Sequence, residues 1–227
     1  KDEKNNNLLR LFDLTKKVFV VTGASGLLGK KHSEAIAAYG GIPIMLDLNK
    51  NDLEKQSNYL NQKYGVMSEG YVVDVSSEEE IVNNKKVIFE KFGKIDGLIN
   101  NAANNPKLDN NLSENFTRLE NFSVSAWSKD ISVGLTGAFL CSKHYGKIIS
   151  KNLRGGVIIN ISSDLGLIAP DQRLYKKKGI PEDKQSVKPI TYSVVKSGLI
   201  GLTRYLSTYW PDKVRCNALC PGGVETD

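Results

Sequence analysis

The chain has 227 residues, of which 40% are hydrophobic and 25% are charged. This length and composition favour a single globular domain over residues 1–227, with a core large enough to fold without disulfides or a structural metal. No apolar run approaches the roughly eighteen residues of a membrane span, and the polar start of the sequence does not resemble a signal peptide. The formal net charge of +6 is spread along the chain, which argues against the concentrated basic stripe of a nucleic-acid-binding surface.

Cysteine and histidine usage indicates a reduced protein without a metal centre. The three cysteines, Cys141, Cys216 and Cys220, are too few for a disulfide framework, and none lies in a Cys-x-x-Cys motif. His32 and His144 are far apart in the sequence and form no zinc-binding pattern. We therefore expect free thiols, no metal and a cytoplasmic location.

Short apolar runs alternate with longer amphipathic segments along most of the chain. In chain order, the pattern predicts a strand at residues 18–21, a helix over 26–39, a strand at 42–46, a helix over 50–64, a strand at 70–75, a helix over 78–92, and further strands at 95–99, 156–161 and 214–219. Near-continuous apolar strands that alternate with helices are typical of a parallel sheet covered on both faces. The predicted fold class is α/β, a doubly wound, Rossmann-type parallel sheet with helices on both faces.

Two polar segments interrupt this alternation, at residues 104–121 and 170–189. Each follows a predicted strand, and both are long for connections inside a compact domain. Open α/β sheets bind ligands at the carboxyl ends of their strands, so we expect both segments to lie beside the functional site.

A glycine-rich turn joins the first strand to the first helix, where residues 22–29 read Thr-Gly-Ala-Ser-Gly-Leu-Leu-Gly. Gly23, Gly26 and Gly29 allow a tight turn and a close approach of the backbone to a pyrophosphate at the helix N-terminus. Asp47 ends the second strand, where a carboxylate accepts hydrogen bonds from the ribose hydroxyls of NAD and repels the 2′-phosphate of NADP. The sequence therefore predicts a dinucleotide site that favours NAD over NADP.

Tyr192 and Lys196 are the strongest catalytic candidates, because their spacing places them on one face of a predicted helix. A nearby ammonium stabilises an ionised phenol and makes a tyrosine usable as an acid or base toward a hydroxyl or carbonyl oxygen. The same spacing occurs in two other pairs, Tyr59 with Lys63 and Tyr209 with Lys213. Only Tyr192 is preceded by a strand that ends in hydroxyl groups, at Ser162 and Ser163.

Taken in order, six motifs resemble those of the short-chain dehydrogenase/reductase family over nearly the whole chain. They are Thr22-Gly23 through Gly29, Asp74-Val75, Asn100-Asn101-Ala102-Ala103, Ser163-x-x-Gly166, Tyr192-x-x-x-Lys196 and Asn217-x-x-x-Pro221-Gly222. The resemblance implies that Ser163 stabilises the reacting oxygen, that Tyr192 exchanges its proton, and that Lys196 binds the nicotinamide ribose. It also implies a homo-oligomer, commonly a tetramer, formed through helices over residues 125–151 and 191–210.

The same resemblance, together with the glycine turn, predicts which residues line the cofactor groove. They are Gly23, Ser25, Gly26, Leu27, Leu28, Gly29, Asp47, Asp74, Val75, Asn101, Ala102, Ala103, Tyr192, Lys196, Pro221, Gly222, Val224 and Thr226. In this assignment Asp74 contacts the adenine, and residues 221–226 hold the nicotinamide carboxamide. The implied activity is an NAD(P)-dependent interconversion of a secondary alcohol and a ketone.

Three features depart from the family pattern. The glycines follow the spacing of longer members that act on nucleotide sugars, and Gly134 stands where the family usually has a catalytic Asn. We hypothesise that ordered water fills the space of the missing amide. Tyr192 follows Ser163 by 192 − 163 = 29 residues, where about a dozen are usual, and the extra segment carries Arg173 and the triplet at residues 176–178. That basic segment is interpreted either as a solvated lid or as a clamp for an anionic sugar derivative.

Several alternatives stay open at the level of sequence. Residues 192–210 and 215–223 look most like bacterial members associated with surface-sugar or flagellin modification, which suggests a sugar-derived small-molecule substrate. A sugar epimerase or dehydratase that retains NAD is a second enzyme class, and an NAD-sensing regulatory protein is a nonenzymatic one. Because the family pattern usually continues into another helix and a last strand, we expect further structure after Asp227.

Overall fold

The computed structural model describes residues 11–104 and 117–224. The strands are β1 (Val18–Thr22), β2 (Ile42–Asp47), β3 (Glu69–Val72), β4 (Gly97–Asn100), β5 (Gly156–Ile161) and β6 (Val214–Leu219). The helices are α1 (Leu27–Ala38), α2 (Lys50–Tyr64), α3 (Glu78–Phe92), α4 (Val124–Ile131), α5 (Gly137–Ile149) and α6 (Ile190–Tyr209). Most of the predicted loop over residues 104–121 lies outside the described residues.

The six strands form one sheet in the order β3-β2-β1-β4-β5-β6, and every neighbouring pair is parallel. Val20 of β1 is in register with Ile44 of β2 on one side and with Leu98 of β4 on the other. The order reverses between β1 and β4, and such a reversal leaves a crevice at the carboxyl ends of the strands. The predicted doubly wound α/β fold is confirmed.

Apolar side chains fill both faces of the sheet. One cluster joins alternate strand residues such as Val20 and Ile158 to Tyr145 of α5, which is fully buried. The other joins Val21 and Met45 to side chains of α1 and α2. Burial on both faces explains why the strands read as unbroken apolar runs and not as alternating ones.

Local capping signals set the ends of the helices. The Ser77 side chain accepts a hydrogen bond from the Glu80 N–H and begins α3. Gly65 and Gly93 follow α2 and α3 with φ of 64° and 69°, a left-handed conformation that suits glycine. The predicted bounds of both helices are confirmed because these signals are local in sequence.

Two predictions need correction. The strand predicted at residues 70–75 ends at Val72, because beyond that point only the Val73 N–H continues the ladder, donating to the Asp47 carbonyl. The long helix predicted over residues 125–151 is broken into α4 and α5 by a π-helical turn over Ser132–Thr136. Turns of this kind inside helices are frequent at functional sites.

A buried polar network ties β4 and β5 to the helices above them. The Asn100 side-chain amide donates to the Asn160 side-chain oxygen (2.8 Å) and to the Ser142 hydroxyl (3.0 Å). The Asn160 amide in turn donates to the Thr203 hydroxyl at 2.8 Å. Asn160 is fully buried, so the Asn100 amide and the Thr203 hydroxyl would each lose a partner with no water to replace it if the Asn160 side chain were removed.

At the opposite, amino edge of the sheet, Asp96 anchors the start of β4. Its carboxylate accepts a hydrogen bond from the Val18 N–H (2.9 Å) and pairs with Lys17 and Lys94 at 3.1 and 3.0 Å. Burial alone would raise the pKa of this carboxyl, but the Val18 N–H and the two lysines outweigh burial and lower it.

Within the described residues, no helix is long and apolar enough to cross a membrane.

We predict that Asn160→Ala lowers the free energy of unfolding by about 2–3 kcal/mol, because it leaves a cavity and unpartnered amide and hydroxyl groups. The measurement is urea denaturation. Asn58→Ala, at an exposed position of α2, is the control and should change stability by less than about 0.5 kcal/mol. Equal effects of the two substitutions would contradict a stabilising role for the network.

Candidate active site

The two sides of the crevice are tied together at their base by Thr22 and Asn101. The Thr22 hydroxyl accepts hydrogen bonds from the N–H groups of Asn101 and Ala102, both at 3.0 Å. The Asn101 side-chain amide donates to the carbonyl oxygens of Thr22 and Gly23, also at 3.0 Å. These bonds fix the end of β4 against the glycine turn that follows β1.

The glycine turn has no room for side chains at two of its positions. Gly23 has φ of +63°, and a Cβ there would lie 2.8 Å from the Ala102 Cα atom. A Cβ on Gly29 would lie 2.1 Å from the Gly23 carbonyl oxygen. α1 begins after Gly26 without a side-chain cap and without an acidic residue in its first turn. The positive end of this helix is therefore free to receive an anion such as a pyrophosphate.

The Asp47 carboxylate is held in a fixed orientation by backbone groups. It accepts hydrogen bonds from the N–H groups of Ser25 (2.9 Å), Leu48 (2.8 Å) and Asn49 (3.2 Å). The Ser25 hydroxyl is buried in the same turn and has no hydrogen-bond partner among the described residues. A ligand with hydroxyl and phosphate oxygens would satisfy both groups, so the turn fits a dinucleotide.

A small cavity of about 140 Å³ continues from Asp47 along the ends of β2 and β3. It is lined by Gly23, Leu46, Asp47, Leu48, Val73, Asp74, Val75, Ala102, Ala103 and Val133. Asp74 is oriented there by the Ser76 N–H and hydroxyl, at 2.8 and 2.7 Å. Mostly apolar walls with a carboxylate at Asp47 and another at Asp74 suit an adenosine group, in line with the predicted position of Asp74 and Val75.

The main cavity, of about 350 Å³, extends from the glycine turn to α6. Among the predicted residues, it is lined by Gly23, Gly26, Leu27, Leu28, Asp47, Asn101, Ala103, Tyr192, Lys196, Pro221, Gly222 and Val224. Gly29 lies behind the turn and supports it, and Thr226 lies outside the described residues. The structure thus brings both predicted groups, the dinucleotide turn and the Tyr–Lys pair, to one cavity.

Lys196 is held in place on the buried side of α6. Its ammonium donates to the Ile161 carbonyl oxygen at 2.7 Å and lies 5.7 Å from the centroid of the Tyr192 ring. Burial, helped by repulsion from the Lys188 ammonium, lowers the pKa of Lys196 to about 8. A lysine with this pKa can hold or release a proton near neutral pH.

Lys188 is a functional candidate that the sequence did not indicate. Its ammonium lies 3.7 Å from the centroid of the Tyr192 ring, within the range of a cation–π contact. Burial lowers the pKa of Lys188, against the opposite effect of the Asp164 carboxylate. Tyr192 is therefore flanked by two ammonium groups, one from α6 and one from the segment before it.

Ser163 lies beside the main cavity but does not line it, whereas its neighbour Ser162 does. The Ser163 hydroxyl donates to the Asp164 carboxylate at 2.8 Å and accepts from the Leu165 N–H at 3.2 Å. Among the described residues, no hydrogen bond joins Ser163 to Tyr192. Its role toward the reacting oxygen stays a prediction, and it requires the hydroxyl to leave Asp164.

Gly134 is buried in the π-helical turn and faces Val195 of α6. A Cβ at Gly134 would lie 2.7 Å from the Val195 Cγ1 atom. A valine methyl group therefore lies close to where an Asn side chain would begin. The hypothesis that ordered water fills the place of that side chain stays a prediction. The absence of a side chain at Gly134 thus leaves the space that the branched side chain of Val195 fills.

Asn104, Asp130 and Thr191 are among the residues that line the main cavity without having been predicted. Asp130 is 8% exposed although it lies on a short amphipathic helix, where sequence alone would place an aspartate at the surface. Its partners come from distant parts of the chain, so no local pattern could have identified the cluster.

The basic segment between Ser163 and Tyr192 is partly neutralised by its own carboxylates. Arg173 pairs with Asp171 and Lys176 pairs with Glu182, each at 2.7 Å. None of Arg173, Lys176, Lys177 and Lys178 lines the main cavity. This arrangement gives no support to a clamp on an anionic substrate and suits a solvated lid.

We predict that Gly134→Ala lowers the free energy of unfolding by about 1–3 kcal/mol, because the added methyl group overlaps Val195. Gly201→Ala is the matched control, since a Cβ at that position of α6 meets no atom within 4 Å. The control should be stabilised by up to about 1 kcal/mol. In a Val195→Ala background, Gly134→Ala should lower the free energy of unfolding by less than it does in the wild type, as measured by thermal and urea unfolding. Strictly additive effects of the two substitutions would contradict the match in size between the residues at 134 and 195.

Comparison with known proteins supports the assignment of the fold and the family. The profile of a family described as Enoyl-(Acyl carrier protein) reductase matches residues 23–227. An NADP-dependent mannitol dehydrogenase of Hypocrea jecorina is 32% identical over 227 residues, which cover 97% of this chain and 75% of that protein. The 3-oxoacyl-acyl-carrier-protein reductase FabG of Aquifex aeolicus is 31% identical over 216 residues, covering 94% of this chain and 76% of that protein.

Among solved structures, an NAD⁺-bound xylitol dehydrogenase superposes with a TM-score of 0.78 at 26% identity, covering 94% of this chain and 73% of that one. The similarity to this structure therefore agrees with the sequence similarity to the mannitol dehydrogenase and to FabG. The chain belongs to the short-chain dehydrogenase/reductase family and is an NAD(P)-dependent oxidoreductase of that family.

Proposed function

We propose that this chain, acting as one domain, interconverts a secondary alcohol and a ketone on a sugar alcohol or a related sugar derivative. The observation that carries the proposal is the placement of Tyr192 and Lys196 in the same cavity as the glycine turn and Asp47. A hydroxyl-bearing substrate beside Tyr192 and a dinucleotide along the turn would meet within that cavity.

A nicotinamide dinucleotide bound there would supply the hydride donor or acceptor, which is chemistry that belongs to the cofactor. The glycine turn, Asp47 and Asp74 would hold its adenosine end, while Lys196, Pro221, Gly222 and Val224 would hold its nicotinamide end. The proposed role of Tyr192 is to take the proton from the substrate hydroxyl during oxidation and to return it during reduction. The ammonium groups of Lys188 and Lys196, 3.7 and 5.7 Å from the centroid of the Tyr192 ring, place positive charge beside that exchange.

The proposed cofactor is NAD, with NADP less favoured. The Asp47 carboxylate is already oriented by three backbone N–H groups, and its remaining acceptor capacity suits a hydroxyl of an adenosine ribose. The mannitol dehydrogenase relative is named for NADP and the xylitol dehydrogenase structure contains NAD⁺, so the relatives support both nucleotides. Asp47 is the residue that favours NAD in this chain.

The proposed substrate is a polyol, by analogy with relatives named for mannitol and xylitol. An anionic sugar derivative is the second candidate, favoured only by the Lys188 ammonium beside Tyr192. The resemblance to bacterial surface-sugar enzymes stays a prediction, as do the homo-oligomer and the cytoplasmic location.

Two other functions make different predictions. An epimerase or dehydratase that retains NAD would return the cofactor to its starting state and release no reduced cofactor. A regulatory protein would bind the dinucleotide without turnover. The Tyr192–Lys196 pair beside the turn favours the dehydrogenase over both.

We expect Tyr192→Phe to lower kcat for a sugar alcohol by at least about 100-fold, because the variant lacks the group that exchanges the proton. Reduced-cofactor absorbance measures the rate, and cofactor-induced thermal stabilisation measures binding, which should be unchanged. Tyr209→Phe, a tyrosine at the exposed end of α6, is the control and should retain activity. Retention of most activity in Tyr192→Phe would overturn the assigned role.

Replacement of Asp47 tests the cofactor preference. In the wild type, kcat/KM should be higher with NAD⁺ than with NADP⁺, since a carboxylate repels the 2′-phosphate. Asp47→Ser should raise relative use of NADP⁺ by about tenfold or more, because it removes a like-charge contact. Asp52→Ser, five residues along the chain in α2, is the control for a general change in charge. A wild type that prefers NADP⁺ would contradict the proposal.

A further inference from the structure

A buried carboxylate lies in the main cavity without a cationic partner. Asp130 of α4 is 8% exposed, and within residues 11–104 and 117–224 it forms no ion pair with a lysine, arginine or histidine. Buried carboxylates are costly unless their oxygens are hydrogen-bonded, so the groups around Asp130 decide what it does.

Two neutral donors contact the two carboxylate oxygens of Asp130. The Asn104 side-chain amide donates to one carboxylate oxygen at 2.6 Å, and the Thr191 hydroxyl donates to the other over a short contact. Thr191 is 2% exposed and lies in the first turn of α6, directly before Tyr192. An ionised carboxylate offers about four acceptor sites, so these two bonds leave acceptor capacity on Asp130.

The position of Asn104, Asp130 and Thr191 in the cavity determines which ligand can donate hydrogen bonds to the free acceptor sites of Asp130. Asn104, Asp130 and Thr191 all line the main cavity, and so does Tyr192. The sequence link between Thr191 and Tyr192 puts the cluster at the end of the cavity where the substrate oxygen is proposed to react. The Asn104 side-chain oxygen and the Thr191 hydroxyl oxygen add acceptors beside the carboxylate.

We propose that Asp130, with Asn104 and Thr191, binds the neighbouring hydroxyl groups of a polyol and makes this site selective for polyhydroxylated substrates. The proposal rests on the proposed alcohol–ketone function and deepens it. A wall of acceptors suits donors on adjacent carbons of a sugar alcohol, whereas a fatty acyl chain would leave the carboxylate buried and without a ligand donor. Asp130 therefore separates polyol substrates from the acyl substrates after which other relatives are named.

The test compares the wild type with Asp130→Asn, a variant of equal size that loses the charge. The substrates are xylitol and cyclohexanol, which is a secondary alcohol with one hydroxyl, and each is assayed with NAD⁺ and with NADP⁺. We expect KM for xylitol to rise about tenfold or more in Asp130→Asn, with KM for cyclohexanol changed by less than about twofold. An equal rise for both alcohols, or no rise for either, would overturn the proposal.

Thr191→Val separates substrate binding from a positioning effect on α6. If Asp130 acted only by holding Thr191 and thereby Tyr192, then Thr191→Val and Asp130→Asn would both lower kcat for the two alcohols by the same factor. That result contradicts the proposal. Asp96→Asn is the control for the loss of a buried aspartate, and it should lower stability without changing the xylitol-to-cyclohexanol ratio of KM values.

Saturation-transfer NMR supplies a readout that needs no turnover. In the presence of the cofactor, xylitol should give a saturation signal with the wild type and a much weaker one with Asp130→Asn. If this holds but neither alcohol is oxidised, the proposed function fails and the polyol site stands. If cyclohexanol is oxidised while xylitol is neither oxidised nor bound, the polyol site fails and the proposed function stands.

Discussion

The hydrogen bonds between Thr22 and Asn101 are the interaction on which the rest of the site depends. In a parallel sheet whose order reverses between β1 and β4, the segments that follow these two strands diverge to opposite faces. The Thr22 hydroxyl and the Asn101 amide fix the strand ends against each other, with four contacts of 3.0 Å. The base of the crevice is therefore hydrogen-bonded on both sides, with Asp47 on one side of it and α6 on the other.

Above that base, the candidate catalytic and substrate-binding groups lie where α4, the π-helical turn and α6 cross. Gly134 leaves room for Val195, which lets α6 approach closely enough for the Lys196 ammonium to reach the Ile161 carbonyl oxygen. One turn earlier, Asp130 meets the start of α6 at Thr191. The same contact between helices thus holds both the groups proposed to exchange a proton and the groups proposed to select the substrate.

The sequence was informative wherever the signal is local. The turn that contains Gly23 is marked by neighbouring glycines, and the pair Tyr192 and Lys196 is marked by helical spacing, so both were predicted from short windows. The helix ends at Gly65 and Gly93 were predicted for the same reason. The alternation of strands and helices was enough to predict the sheet and its topological class.

Contacts between distant residues were not predictable in this way. Asp130 and Thr191 are 61 residues apart, and an aspartate on an amphipathic helix is ordinarily solvated. Lys188 lies in a segment without regular secondary structure, so nothing in the sequence places it over the Tyr192 ring. The overlap at Gly134 likewise depends on which side chain faces it from α6, which only the packed structure determines.

In the proposed reaction, hydrogen moves between a secondary carbinol carbon and a dinucleotide held on the glycine turn. Mass spectrometry of the cofactor, after incubation with a sugar alcohol that carries deuterium at that carbon, measures this transfer. We expect reduced cofactor that contains one deuterium and a ketone product that has lost it. Deuterium that stays in the sugar, with no reduced cofactor released, would rule out the proposed reaction and favour one in which NAD is retained.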